Sequence, residues 1–143
     1  MLTMYLIDTN VISEIRKGPR SNPGVRSFFA TVVEQDIPVF ISVITVGELR
    51  RGVELIRYRG DADQADQLER WLQQVVDVYQ DHVLPFDHDA AQVWGRLRVS
   101  HPENALDKQI AATALLHDLT VVTRNERDFT PTGVRTLNPF AGS

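Results

Sequence analysis

The chain has no cysteine, only two lysines, and no apolar stretch longer than the 11 residues of 37–47, which already include Pro38 and Ser42. Each shortage closes off a class of function. Without thiols there are no disulfides, no thiolate metal sites and no cysteine nucleophile. That composition is consistent with a reducing compartment, and the expectation is a cytoplasmic protein. A membrane-crossing helix needs about 20 apolar residues, so no membrane span is expected. No secretory leader is expected either: the start lacks a basic region, and its apolar run breaks at Asp8. The four histidines, His82, His88, His101 and His117, form no H-x-x-x-H or H-E-x-x-H spacing and read as surface or capping residues. Glycine-rich phosphate loops and the G-x-S-x-G nucleophile turn are missing too.

What remains is a chain of 143 residues with a net charge of −4. That length reads as a single domain, 1–143, large enough to bury a core without staples. A negative balance weighs against a nucleic-acid partner, because phosphate binding is driven by basic side chains. The 15 basic residues are nevertheless 13 Arg and 2 Lys, and they cluster: Arg16, Lys17 and Arg20; Arg50 and Arg51; Arg57 and Arg59; Arg96 and Arg98; Arg124 and Arg127. Arginine suits bidentate phosphate contact, although ordinary solvated helix faces carry such pairs as well.

Short apolar runs alternate with helical patterns. Strands are expected at 4–7, 38–41, weakly at 83–86 because of Pro85, at 119–123 and at 135–137. Helices are expected from Val11 to Arg16, from Asn22-Pro23 onward with Val25, Phe28, Phe29, Val32 and Val33 on one face, and from about Val46 to Tyr58. Three more follow: one carrying Ala65, Leu68, Leu72, Val75, Val76 and Tyr79, one capped by Asp87, and one over 105–117. Trp71 and Trp94 fall on these helices and read as core residues rather than base-stacking platforms. Gly and Pro occur singly as punctuation, with no repeat or linker. Apolar strands with intervening helices indicate an α/β fold whose parallel sheet is covered on both faces. Ligands of such sheets sit beyond the carboxyl ends of the strands.

Four acids stand at junctions of this kind. Asp8 ends the first strand in "LIDTN", Glu48 follows the second in "ISVITVGELRRG", Asp107 opens a helix in "ENALDKQIAATALL", and Asp128 follows the fourth strand in "VVTRNERDF". A plainer explanation exists for each one. Thr45 to Glu48 matches a T-x-x-E capping box, and Asn104 to Asp107 and Asn125 to Asp128 repeat the spacing. Acids in a first helical turn also suit the macrodipole. Capping accounts for the acids singly but predicts no convergence. If they converge, the like charges raise one another's pKa or demand a cation. Oxygen ligands without His or Cys suit Mg²⁺ or Mn²⁺, and such an ion at a phosphodiester supports its hydrolysis.

The quoted segments, with the closing "VRTLNPF", resemble in order the PIN-domain ribonucleases, and among them the VapC toxins of type II toxin–antitoxin pairs, including the FitB-like branch. The resemblance runs from Leu6 to Phe140. It implies a three-layer α/β/α sandwich around a mainly parallel sheet, an acidic pocket binding Mg²⁺ or Mn²⁺, and endonucleolytic cleavage of RNA. By motif, Asp8, Glu48 and Asp107 match the three core acids, and Asp128 the more variable fourth, a role for which Asn125 competes. Asn10 and Thr123 match polar residues that hold a water ligand of the metal or orient a carboxylate. One departure is visible: the family often has Pro shortly before its third acid, where this chain has "ALD". The resemblance also implies a homodimer and a cognate VapB-like antitoxin covering the pocket, with 11–33 and 46–76 as docking segments by analogy.

The expectation is therefore a metal-dependent endoribonuclease toxin. Asp8 and Asp107 are direct metal ligands, Glu48 binds metal or positions the attacking water, and Asp128 completes the site. Arg16, Arg50 and Arg124 are candidates for RNA phosphates. Two alternatives stand beside it. A receiver-like phosphoacceptor domain would want adjacent acids after strand one and a Lys after the last strand, both missing here. A non-catalytic RNA- or protein-binding PIN-like module would keep the fold without the chemistry.

Overall fold

The strands are short and the inner ones, 5–7, 39–42 and 120–122, are largely apolar, so these need helices above and below them. In the computed structural model, which describes residues 3–142, the strands are β1 (Tyr5–Ile7), β2 (Val39–Ser42), β3 (Val83–Leu84), β4 (Thr120–Val122) and β5 (Thr136–Leu137). They form one parallel sheet in the order β3-β2-β1-β4-β5. The helices are α1 (Thr9–Ile15), α2 (Pro23–Glu34), α3 (Val43–Tyr58), α4 (Ala62–Val78), α5 (His88–Leu97), α6 (Ala105–Leu116) and the short α7 (Glu126–Phe129).

The strand period of two assigns side chains to layers. Leu6 sits beside Phe40 and Val121, and Ile7 beside Val122. Ile7, Ile41 and Val122 bury against α1 to α4 through Val11, Val25, Val53 and Leu72. Leu6 and Val121 bury on the opposite face against Ile110, Ala111 and Ala114 of α6 and Phe129 of α7. This is the expected α/β/α sandwich. The sheet order excludes the receiver-like alternative, since receivers place their strands 2-1-3-4-5. Trp71 packs against the first of these cores, and Trp94 donates its indole N–H to the Ala105 carbonyl at 3.1 Å, tying α5 to α6. All four histidines are exposed. Among the described residues no helix is long and apolar enough to cross a membrane.

Several helix starts differ from expectation, each for a local reason. The Asp8 carboxylate accepts the Thr9 N–H at 2.8 Å, so α1 begins at Thr9 rather than Val11. Ser42 caps α3, accepting the Ile44 N–H at 3.0 Å. Thr45 and Glu48 therefore lie inside the helix and form no capping box. Asn104 and Asn125 precede α6 and α7 without a side-chain capping bond. Asn104 enters α6 in the left-handed region at φ 54°. The Lys108 ammonium, almost fully buried, donates to the Glu103 carbonyl just before it. The position where the resemblance would place a proline, just before Asp107, is instead the first turn of α6, Ala105-Leu106. Val33, expected on the apolar face of α2, is 79% exposed.

Candidate active site

Asp8 occupies the carboxyl end of the central strand and is only 4% exposed. Its backbone N–H continues the ladder to the Val122 carbonyl at 2.9 Å, so the carboxylate is held by the sheet itself. Thr123, one residue past β4, donates its hydroxyl to Asp8 Oδ2 at 2.9 Å. The Asn10 amide nitrogen lies 3.2 Å from the same oxygen. Asn10 also accepts the Arg124 N–H on Oδ1 at 3.2 Å, and Thr123 accepts the Asn125 N–H at 3.0 Å. Asn10 thus orients a carboxylate and pins the loop after β4. Asn125 contributes its backbone, while its side chain is exposed.

Glu48 projects from the second turn of α3. Its Oε1 accepts the Thr9 hydroxyl at 2.8 Å, and that hydroxyl lies 3.1 Å from the hydroxyl of fully buried Thr45. In the sequence Thr9 looks like a turn residue and Thr45 like a cap, and neither reads as part of the site. Together they join Glu48 to the Asp8 end of the sheet. Asp107 stands in the first turn of α6 and Asp128 in α7.

Electrostatics tie the four acids together. Burial pushes the Asp8 carboxyl up; the bonds from Thr123 and the Thr9 N–H oppose this, and the charges on Glu48 and Asp128 reinforce it. Asp107 is pushed up to about 6, first by burial, then by Asp8 and Asp128, against the charge of Lys108. Asp128 therefore belongs to the same charged group as Asp8 and Asp107. The four do not form a ready-made shell: among the described residues no three acidic, histidine or cysteine groups stand close enough to hold a metal ion together. The chemistry of the set still fits a hard divalent cation. Every donor is oxygen, and the carboxylates disfavour one another's ionised forms, which a cation relieves.

The three arginine candidates separate. Arg50 turns away to Glu69 at 2.9 Å and Glu54 at 3.4 Å on the α3–α4 face. Arg16 lines a cavity of about 210 Å³ with Thr9, Ser13, Glu48 and Trp71, beside the acids. Arg124 places its guanidinium 4.7 Å from the centre of the Phe140 ring. A larger cavity, about 660 Å³, is lined by Phe29, Val33, Pro38, Val78, Tyr79 and His82 at the amino ends of the strands, away from the carboxylates.

Comparison with known proteins identifies the family and the fold. The family model for the PIN domain matches residues 5–133. Toxin FitB of Neisseria gonorrhoeae is 36% identical over 142 residues, covering 96% of this chain and 99% of that protein. A VapC ribonuclease, Y4jK of Sinorhizobium fredii, is 32% identical, covering 96% and 98%. The crystal structure of FitAcB from Neisseria gonorrhoeae superposes with a TM-score of 0.81 at 36% identity, covering 95% of this chain and 98% of that one. With the sheet order, the buried Asp8 at its centre and a family match over nearly the whole length in agreement, the chain belongs to the PIN-domain family.

Proposed function

We propose that the whole chain, 1–143, is one nuclease domain: a Mg²⁺- or Mn²⁺-dependent endoribonuclease acting in the cytoplasm as the toxin of a toxin–antitoxin pair. The observation that carries this is Asp8, a buried carboxylate at the carboxyl end of the central strand, gripped by Thr123 and Asn10 and coupled in charge to Glu48, Asp107 and Asp128. The ribonuclease name of the Sinorhizobium relative supports RNA as substrate, and the toxin name of FitB supports the biological role.

Asp8 and Asp107 would hold the cation, and Asp128 would complete the charge around it. When bound, Mg²⁺ or Mn²⁺ supplies Lewis acidity and neutralises charge developing at the scissile phosphate. Asn10 and Thr123 keep Asp8 in one rotamer, so little reorganisation is needed on substrate arrival. Glu48 has one oxygen taken by Thr9; its other oxygen orients the attacking water and accepts its proton. Arg16, which lines the cavity beside Glu48, and Arg124 contact RNA phosphates. A VapB-like antitoxin restrains the enzyme by covering this pocket, with the 210 Å³ cavity among α1, α3 and α4 inside the segments 11–33 and 46–76 as its docking ground. A homodimer is the assembly this reading carries.

A metal-titrated cleavage assay on total RNA tests the proposal. Asp8→Asn is expected to fold normally and to lose at least roughly 1,000-fold in cleavage, the scale on which catalytic electrostatic groups act, and to relieve growth inhibition. Cleavage by the variant at the parent's rate would remove Asp8 from the mechanism.

A further inference from the structure

Five arginines are held by side-chain hydrogen bonds or ion pairs among the described residues, and Arg124 is not one of them. Arg50 and Arg57 are spent on Glu54, Asp66 and Glu69, and Arg135 on Asp118. Arg26 bonds the carbonyls of Pro19 and Ser21, and Arg98 that of Pro102. Arg124 has no carboxylate within ion-pair distance among the described residues, although its charge joins the bonds from Lys17 and the Asn22 N–H in lowering the Glu14 carboxyl. It directly follows Thr123, which holds Asp8, and its own backbone N–H is fixed by Asn10. Its guanidinium lies over the face of Phe140. Stacking occupies the plane of a guanidinium and leaves its N–H edge free, the edge that grips a phosphate in bidentate fashion.

The ring beneath Arg124 is itself anchored with care. Phe140 is 8% exposed and inserts into the core under α1 and α2. On its flank, Asn22 Oδ1 accepts the Ala141 N–H at 2.9 Å while Asn22 Nδ2 donates to the Ala141 carbonyl at 3.0 Å. Gly24 lets the chain approach: a Cβ there would stand 2.2 Å from the Pro139 oxygen and 2.6 Å from the Ala141 nitrogen. On the other flank, the Thr123 N–H bonds the Leu137 carbonyl at 2.9 Å. The segment 137–141 is thus stitched to α2 on one side and to the Asp8-holding loop on the other, with Phe140 presented between them.

We propose that Phe140 is a positioning residue for substrate: its ring holds Arg124 beside the loop that grips Asp8, where the guanidinium edge takes an RNA backbone phosphate flanking the scissile bond. This rests on the ribonuclease reading. Pre-ordering a long side chain before the substrate arrives removes part of the ordering cost of binding. The candidate site carries four acids that repel an RNA, so a cation held next to the loop that grips Asp8 has a distinct job in capture.

The test uses steady-state cleavage of a labelled RNA oligonucleotide, and its binding by fluorescence anisotropy in EDTA, for the parent, Arg124→Gln, Phe140→Leu, Phe140→Tyr and the Arg124→Gln/Phe140→Leu pair. Arg124→Gln and Phe140→Leu are each expected to raise KM and the metal-free Kd by about 10-fold, the scale of one charge-assisted contact, with the effect falling on KM rather than kcat. Phe140→Tyr restores the parent values, and the pair is no worse than Arg124→Gln alone. The slope of log affinity against log salt falls by about 1 in Arg124→Gln. In the parent, the Arg124 Nε–H resonance is expected upfield, shifted by the ring current, and it moves when RNA is added. A parent that cuts RNA, with Arg124→Gln unchanged in Kd or the paired variant fully additive, overturns the proposal alone. A parent that neither binds nor cuts RNA overturns it together with the ribonuclease reading.

Discussion

Thr9 shows how much one hydroxyl does in this site. It is the link between α1, which starts on Asp8, and Glu48 on α3. Without it the Glu48 side chain keeps its place in the helix but loses the bond that selects one rotamer. Thr9→Val is nearly isosteric, and it is expected to lower kcat/KM by roughly 10- to 100-fold, while Thr9→Ser recovers most of the loss, since placement errors of catalytic groups cost on that scale. Mn²⁺ affinity measured by calorimetry should follow the same order. A Thr9→Val enzyme as active as the parent would detach Thr9 from the chemistry. In the sequence, Asp8, Glu48, Asp107 and Asp128 stand out as candidates because a carboxylate at a strand or helix junction carries its chemistry openly. Thr9 and Thr45 do not, because a hydroxyl is equally at home in a turn, a cap or a helix, and only the approach of α3 to α1 reveals its partner.

At the scale of elements, the end of β2 and the start of α3 set where Glu48 falls. Ser42 ends the strand, is fully buried, and caps the helix. That cap fixes the phase of α3, which turns Thr45 inward to Thr9 and carries Glu48 to the same edge. Ser42→Ala is expected to cost about 1 kcal/mol in urea unfolding, as loss of an N-cap does. No measurable cost would mean that α3 is held at another residue. The "TVGE" pattern suggested a start three residues later because a hydroxyl three positions before an acid is a genuine capping signal. The strand's own last residue competes for that role, and the burial of Ser42 against the sheet decides the competition. The strands and most helices were legible from apolar periodicity. The short α7 was not, since four residues carry too little pattern to distinguish a helix from a turn.

At the scale of the molecule, a parallel sheet gathers strand ends, and here it gathers like charges. The folded state holds Asp107 at about 6, against 3.8 for the ordinary side chain. A raised folded value means that the group's favourable contribution is present below about pH 4 and is lost as pH rises through 6. At pH 7.5 the ionised carboxylate therefore opposes folding. Asp107→Asn should stabilise the protein at pH 7.5 by about 1 kcal/mol, allowing for solvent screening of a half-exposed group, and the gain should vanish near pH 4. Thermal melts of the two proteins across that range check the sign. Mg²⁺ or Mn²⁺ at about 100-fold over its Kd should stabilise the parent by about 2.7 kcal/mol at pH 7.5, and stabilise Asp107→Asn far less. Equal stabilisation of both would put the cation elsewhere.

Taken alone, the amino-acid sequence determined the alternation of apolar strands and helices, the absence of thiol chemistry, and the four candidate acids. These are local properties, carried by composition, period and spacing. Tertiary structure decided the rest: the order β3-β2-β1-β4-β5 that puts Asp8 at the centre, the Thr9 bridge to Glu48, the turn of Arg50 toward α4, and the meeting of Arg124 with Phe140. Each of these joins residues whose separation along the chain says nothing about their distance in space. Only the stacking of helices on a parallel sheet closes that gap.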